Sequence, residues 1–152
     1  MLWLHNIFMG KNSISLIRAW VRYDEAMNAY NQLLRRQFQI SGLQLAILRM
    51  VAEHAPLRLR ELRSQLSLHP ATLGQAVDSL VKKELLERYA DPQDARGRVV
   101  AVTASGKELI AAAPLAGPVR IRYAPEDAEK YERLEHALNE LVELFGLEPW
   151  SK

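Results

Sequence analysis

Leu85-Leu86-Glu87-Arg88-Tyr89 and Arg98-Val99-Val100-Ala101-Val102, separated by Asp91-Pro92-Gln93-Asp94-Ala95-Arg96-Gly97, decide the fold of this chain. The outer segments predict two antiparallel strands. The seven residues between supply turn chemistry and place Arg96 and Arg98 at the hairpin end. Pro70 to Lys83, just upstream, has helical periodicity, and Thr103-Ala104-Ser105-Gly106 follows the second strand. A helix feeding a two-stranded, arginine-tipped hairpin predicts a winged helix-turn-helix, a layout suited to gripping duplex DNA.

The rest of the chain is consistent with one ordinary globular domain. It has 152 residues, of which 49% are hydrophobic, enough for a sizeable core. The formal charge of +2 conceals an asymmetry: residues 1–123 carry 17 Lys/Arg against 10 Asp/Glu, and residues 124–152 carry 3 against 8. A basic body suits a polyanion, and the acidic tail should lie away from one. Cysteine is absent, which excludes disulfides, thiol chemistry and cysteine-based metal sites. Met1 to Gly10 is apolar but has no basic leader or cleavage site, and no run approaches the ~18 apolar residues of a membrane span. The expected location is the cytoplasm, with no membrane partner.

Upstream, Leu16, Trp20, Tyr23, Met27, Tyr30, Leu34 and Phe38 recur at steps of three and four, predicting a helix from Ser13 to Gln39 that Ser41-Gly42 breaks. A second helix is expected over Leu43–His54, with Leu45, Ile47, Leu48 and Val51 inside and Pro56 closing it. Leu57-Arg58-Leu59 predicts a short extended piece, and Arg60–Leu66 a third helix. His69-Pro70 opens the fourth, with Leu73, Val77, Leu80 and Val81 facing inward. Thr103 is the expected N-cap of a fifth helix stopped by Pro114. Leu115 to Tyr123 predicts a connector without helix. Pro125 should open a last helix striped by Tyr131, Leu134, Leu138, Leu141 and Phe145, with Gly146 just past its end.

At the wing the sequence resembles the MarR family of winged-helix transcriptional regulators. That family's D-x-R-x-x-x-V-x-L-T-x-x-G signature is matched by Asp94, Arg96, Val100, Thr103 and Gly106, with Val102 in place of leucine. Leu80-Val81-Lys82-Lys83-Glu84-Leu85-Leu86-Glu87-Arg88 is similar to its L-e-k-k-G-L-v-e-R run. Three departures stand out. Glu84 replaces a glycine at a position that favours left-handed backbone, which costs ~1 kcal/mol. Gly74-Gln75 stands where Thr-Arg is common. The Gly106–Pro125 segment is short for the family.

The resemblance implies a mainly α fold with a small β-hairpin wing. Residues 1–40 would form an N-terminal dimerisation arm, 41–113 the winged helix-turn-helix, and 114–152 a connector and C-terminal dimerisation helix. It implies a homodimer that binds a pseudo-palindromic operator and represses its target. The candidate DNA-binding residues are Arg58, Arg60 and Arg63 at the third helix, His69, Ala71, Thr72, Gly74, Gln75 and Ser79 on the fourth, and Arg96 and Arg98 on the wing. Gln75 suits adenine N6/N7 in the major groove, and Arg96 the electronegative minor groove, with Asp94 orienting it. For each, the bland alternative is a solvated polar face. Arg58 stands where the family has a Ser or Thr helix cap, so cations gather at a helix N-terminus against the dipole.

Trp20, Tyr23, Met27 and Tyr30 form first a core or dimer seam. By resemblance they would line a cleft for a small aromatic or amphipathic effector, with Arg18 or Arg22 pairing a carboxylate. His5, His54, His69 and His136 show no metal-ligand spacing, no catalytic constellation is present, and no cofactor is called for. The rival reading is a winged-helix protein–protein assembly module, which would need no basic wing tip.

Overall fold

The computed structural model describes residues 10–151. The sequence reading of Met1–Met9, His5 included, falls outside them. The chain forms two compact units, the first running to Val119 and the second from Arg120.

In the first unit, α1 (Lys11–Leu33) continues as a π-helical turn over Leu34–Phe38, which Gln39 ends in left-handed backbone at φ 57°. The α-helix therefore stops earlier than Gln39. Ser41 does not break that helix but opens the next. Its hydroxyl accepts from the Gln44 N–H at 3.1 Å, and the Gln44 side chain accepts from the Ser41 N–H at 2.9 Å. This reciprocal capping box starts α2 (Gly42–His54). Helix α2 is the spine of the unit: Leu45, Ile47, Leu48, Met50 and Val51 are buried against α4, α5 and β3. Of the long α1 stripe, only the C-terminal end (Tyr30, Leu33, Leu34 and Phe38) joins this core.

β1 (Leu57–Arg58) leads into α3 (Leu59–Leu66), and Ser67 at φ 50° turns the chain toward α4 (Pro70–Lys82). Leu73, Val77 and Leu80 of α4 are buried, and Val81 packs beside them. Glu84 adopts φ 59°, the left-handed geometry expected of the family's glycine position.

The wing is longer than its two predicted strands. β2 (Leu86–Asp91) and β3 (Asp94–Val102) pair from Leu86↔Val102 to Ala90↔Arg98, then shift register to Asp91↔Asp94. Only Pro92-Gln93 remain as the turn, and Ala95-Arg96-Gly97 bulge out of β3. The aspartates cause this: Asp91 accepts the Gln93 N–H at 2.9 Å, and Asp94 the Arg96 N–H at 3.0 Å. β1 adds to the other edge of β3, giving the order β1-β3-β2.

α5 (Ala104–Ala112) is capped by Thr103, which accepts the Gly106 N–H at 3.0 Å. The Thr103 hydroxyl also donates to the Glu84 carbonyl at 2.7 Å. Its cap thus joins the end of α4 to the start of α5. Gly106 is obligatory: a Cβ there would sit 2.3 Å from the Leu85 carbonyl oxygen. The predicted connector is not wholly irregular, because Pro118–Tyr123 form a 3-10 helix that Pro118 starts with its fixed φ.

In the second unit, α6 (Ala128–Leu144) starts at Asp127, not Pro125, because the aspartate accepts the Lys130 N–H at 3.0 Å. Gly146, at φ 65°, ends it. The Gly146 N–H bonds the Glu143 carbonyl and the Leu147 N–H the Val142 carbonyl, a Schellman closure. No residue of α6 is buried.

Candidate nucleic-acid interface

His69 and Pro70 set the start of α4. The His69 Nδ1 accepts the Ala71 N–H at 3.2 Å, so the ring caps the helix. Ala71, Thr72 and Gln75 are exposed, with Gly74 half-buried at their flank. Ser79, expected to face outward, is half-buried, because its place on the helix lies nearer the Val77–Leu80 side. Gly74 has no packing reason to be glycine: a Cβ built there meets nothing within 4 Å.

Arg60 and Arg63 are exposed and border a cleft of about 180 Å³ together with Leu59, Pro70, Leu73 and Gly74. A second cleft, about 370 Å³, is lined by Leu59, Arg60, Arg96 and Arg98 along with Asp91 and Asp94. Leu59 and Arg60 belong to both. The start of α3, the start of α4 and the wing therefore share one continuous surface edged by Arg60, Arg63, Arg96 and Arg98. Arg96 rides on the β3 bulge. Asp94 holds its backbone N–H, not its guanidinium, so the aspartate positions the arginine through the main chain. Arg98 turns one guanidinium nitrogen back to the Gly97 carbonyl at 3.1 Å.

Arg58, a candidate phosphate contact by sequence, makes an internal tie in the fold. Its Nε donates to Asp91 at 2.5 Å, a second guanidinium nitrogen donates to Gln93 at 2.8 Å, and Glu61 lies 3.9 Å away. The cause is topological: β1 pairs beside β3 and brings residue 58 beneath the wing turn. The hydrogen bond and charge of Asp91 raise the Arg58 pKa, and Arg58 with the Gln93 N–H hold the Asp91 carboxyl below the usual carboxylate range.

Sequence reasoning placed Asp91 only in a turn and did not find this pair. It also missed Arg88, which donates to Asp78 on the exposed side of α4 at 2.6 Å, and Lys83, whose Nζ donates to the Gln39 carbonyl. Opposite charges ten residues apart were the one available signal for the Arg88–Asp78 pair.

Trp20 and Tyr23 of the candidate effector cleft stand 42% and 59% exposed on α1, so within one chain the four residues do not close on each other. Tyr30 is held instead at the base of the unit. Its hydroxyl donates to the Pro114 carbonyl at 3.4 Å, Gly117 lies against its ring, and burial raises its pKa. Arg49 approaches the same place from α2, donating to the Ala113 carbonyl at 3.1 Å.

The MarR family's sequence profile matches residues 40–97, the segment from α2 to the wing. Two uncharacterized HTH-type transcriptional regulators of Bacillus subtilis (strain 168) are similar over 104 residues. YxaD is 31% identical, over 66% of this chain and 64% of its own, and YhbI 29%, over 68% and 64%. The chain thus spans just under two thirds of the length of these relatives. The solved structure of Sco3205, a MarR family transcriptional regulator from Streptomyces coelicolor in complex with DNA, superposes with a TM-score of 0.60. It covers 91% of both chains at 19% identity, a likeness of fold. Among the described residues, no helix is long and apolar enough to cross a membrane. Over residues 40–97 the α3–α4 pair and the arginine-edged wing, with the Thr103–Gly106 junction behind them, are thus similar to the winged helix of the MarR family.

Proposed function

We propose that the protein is a homodimeric, sequence-specific DNA-binding transcriptional regulator of the MarR type, a non-enzymatic repressor acting in the cytoplasm. The observation that carries this reading is the continuous surface edged by Arg60, Arg63, Arg96 and Arg98 beside the exposed face of α4. Helix α4 enters the major groove, where Thr72 and Gln75 meet base edges, and the wing tip reaches the adjacent minor groove with Arg96. The flanking arginines neutralise phosphates.

One winged domain covers half a site, and a two-fold partner supplies the other half about 34–36 Å away. The second copy covers apolar surface that one chain leaves open. Helix α1 exposes Ile14, Ile17, Trp20 and Val21, and α6 exposes Leu134, Leu138 and Leu144. A small aromatic or amphipathic effector would act at α1, where Trp20 and Tyr23 offer apolar rings with polar handles. It releases DNA only by binding the DNA-incompetent dimer more tightly than the competent one.

Selection of bound fragments from a random or genomic duplex pool tests the reading. The expected product is a two-fold symmetric motif whose affinity falls steeply with salt. Recovery of no motif above bulk DNA would overturn it.

A further inference from the structure

Gly74 sits within α4 at a cost of helix stability relative to alanine. No neighbour demands it, since a Cβ there would meet nothing within 4 Å. Gly74 lines a cleft of about 180 Å³ between α3 and α4, where a side chain would meet open space. The cleft is lined by apolar Leu59, Pro70 and Leu73 together with the exposed residues Arg60 and Arg63. Exposed Ala71 and Gln75 lie within one helical turn of it.

We infer that this cleft reads the 5-methyl group of a thymine in the major groove, and that Gly74 is a specificity-determining residue through the space it leaves. The inference rests on the DNA-binding reading above. The two arginines suit the phosphates that flank a base, and they exclude a cationic or purely apolar occupant. The thymine methyl is the apolar group that a base pair presents in the major groove, whereas the other base edges there are donors and acceptors. A small apolar lining beside two cations matches a methyl set among phosphates. Gln75, one residue on, reaches the neighbouring base edge with its amide.

Uracil, which lacks only that methyl, tests the assignment. The full-length protein is titrated with its selected duplex and with duplexes carrying uracil for thymine at each symmetry-related pair in turn. One pair should lower affinity about fourfold per half-site, the effect of burying one carbon. Gly74→Val, which fills the cleft from an open position, should bind thymine and uracil duplexes equally, with Gly74→Ala between the two. Melting temperatures confirm that both variants are folded. Uracil tolerated at every position, or a thymine preference unchanged in Gly74→Val, overturns the inference and leaves DNA binding intact. Failure to select any duplex overturns the DNA-binding reading itself.

Discussion

Arg58 reaches 33 residues along the chain to place its Nε 2.5 Å from the carboxylate of Asp91, a group only 5% exposed. With the further bond to Gln93, one side chain on β1 fastens the turn of the wing. The wing tip is therefore anchored from the α3 side, and the bulge carrying Arg96 projects from a braced base, not a free hairpin.

Asp91→Ala should lower stability, and the deficit should depend on pH in one direction. The carboxyl is held below its ordinary value, so its contribution is complete above the unfolded pKa near 4. That contribution is lost as pH falls through the folded value. Thermal unfolding should thus show a constant gap between wild type and variant from about pH 8 to 5 that closes below about pH 4. A gap that widens in acid would contradict the pairing.

Two glycines should respond to alanine with opposite signs. At Gly106 the new Cβ would lie 2.3 Å from the Leu85 carbonyl oxygen and 2.6 Å from Val102 Cγ1. The backbone must move, at a cost of about 3 kcal/mol or more. At Gly74 the Cβ enters open space, and the better helix former should add about 1 kcal/mol. Denaturant unfolding of the two variants measures both.

Glu84→Gly should be stabilising by about 1 kcal/mol, equivalent to a melting temperature 2–4 °C higher. The residue holds φ 59°, and its useful contacts are main-chain ones: the N–H to Val81 and the carbonyl from Thr103. Glycine keeps both bonds and removes the strain of a side chain in left-handed backbone. A lower melting temperature would mean that the Glu84 side chain does more than these contacts indicate.

The hairpin, α4 and the α5 cap were legible in the sequence because each rests on local chemistry: alternation, Pro70 at a helix start, Thr103 three residues before Gly106. The left-handed turn at Glu84 was legible only through the resemblance, from the glycine that the family has at that position. What escaped depends on register and topology. Nothing near Arg58 announces that β1 will pair with β3 and bring Asp91 within reach. Nor does the stripe from Leu16 to Phe38 reveal that its helix widens into a π turn at Leu34, or that Leu16, Trp20 and Tyr23 in its first half stay exposed. Arg60, Arg63, Arg96 and Arg98 could be named from composition and spacing, but their continuity through Leu59 and Arg60 is a property of the folded surface.

The proposed dimer should be breakable without unfolding the chain. Leu134 and Leu138 are 48% and 58% exposed on α6, so Leu134→Glu with Leu138→Glu removes nothing from a packed core. Sedimentation should show wild type as a dimer at micromolar concentration and the double variant as a monomer with unchanged helical content. Operator affinity should fall sharply, since each half-site is then bound alone. A wild-type monomer, with or without DNA, would exclude the two-fold arrangement.

Arg96 and Gln75 should fail in different ways. Arg96 projects from a bulge held by Asp94, is exposed, and offers a charge without a fixed geometric partner. Its removal to alanine should weaken binding to every duplex, with preference largely kept. If the guanidinium also neutralises a phosphate, the slope of log affinity against log salt should become shallower by about one unit. Gln75 lies mid-helix on the exposed face of α4, carries no net charge, and presents an amide that can bond adenine N6 and N7 together. Gln75→Ala should leave the salt slope unchanged and relax preference at one base position by about 1–3 kcal/mol. Titrating each variant against the selected operator and its single-base substitutions at several salt concentrations separates the two signatures. Exchanged signatures would put the helix and the wing in the wrong grooves, and no change in either variant would remove both from the interface.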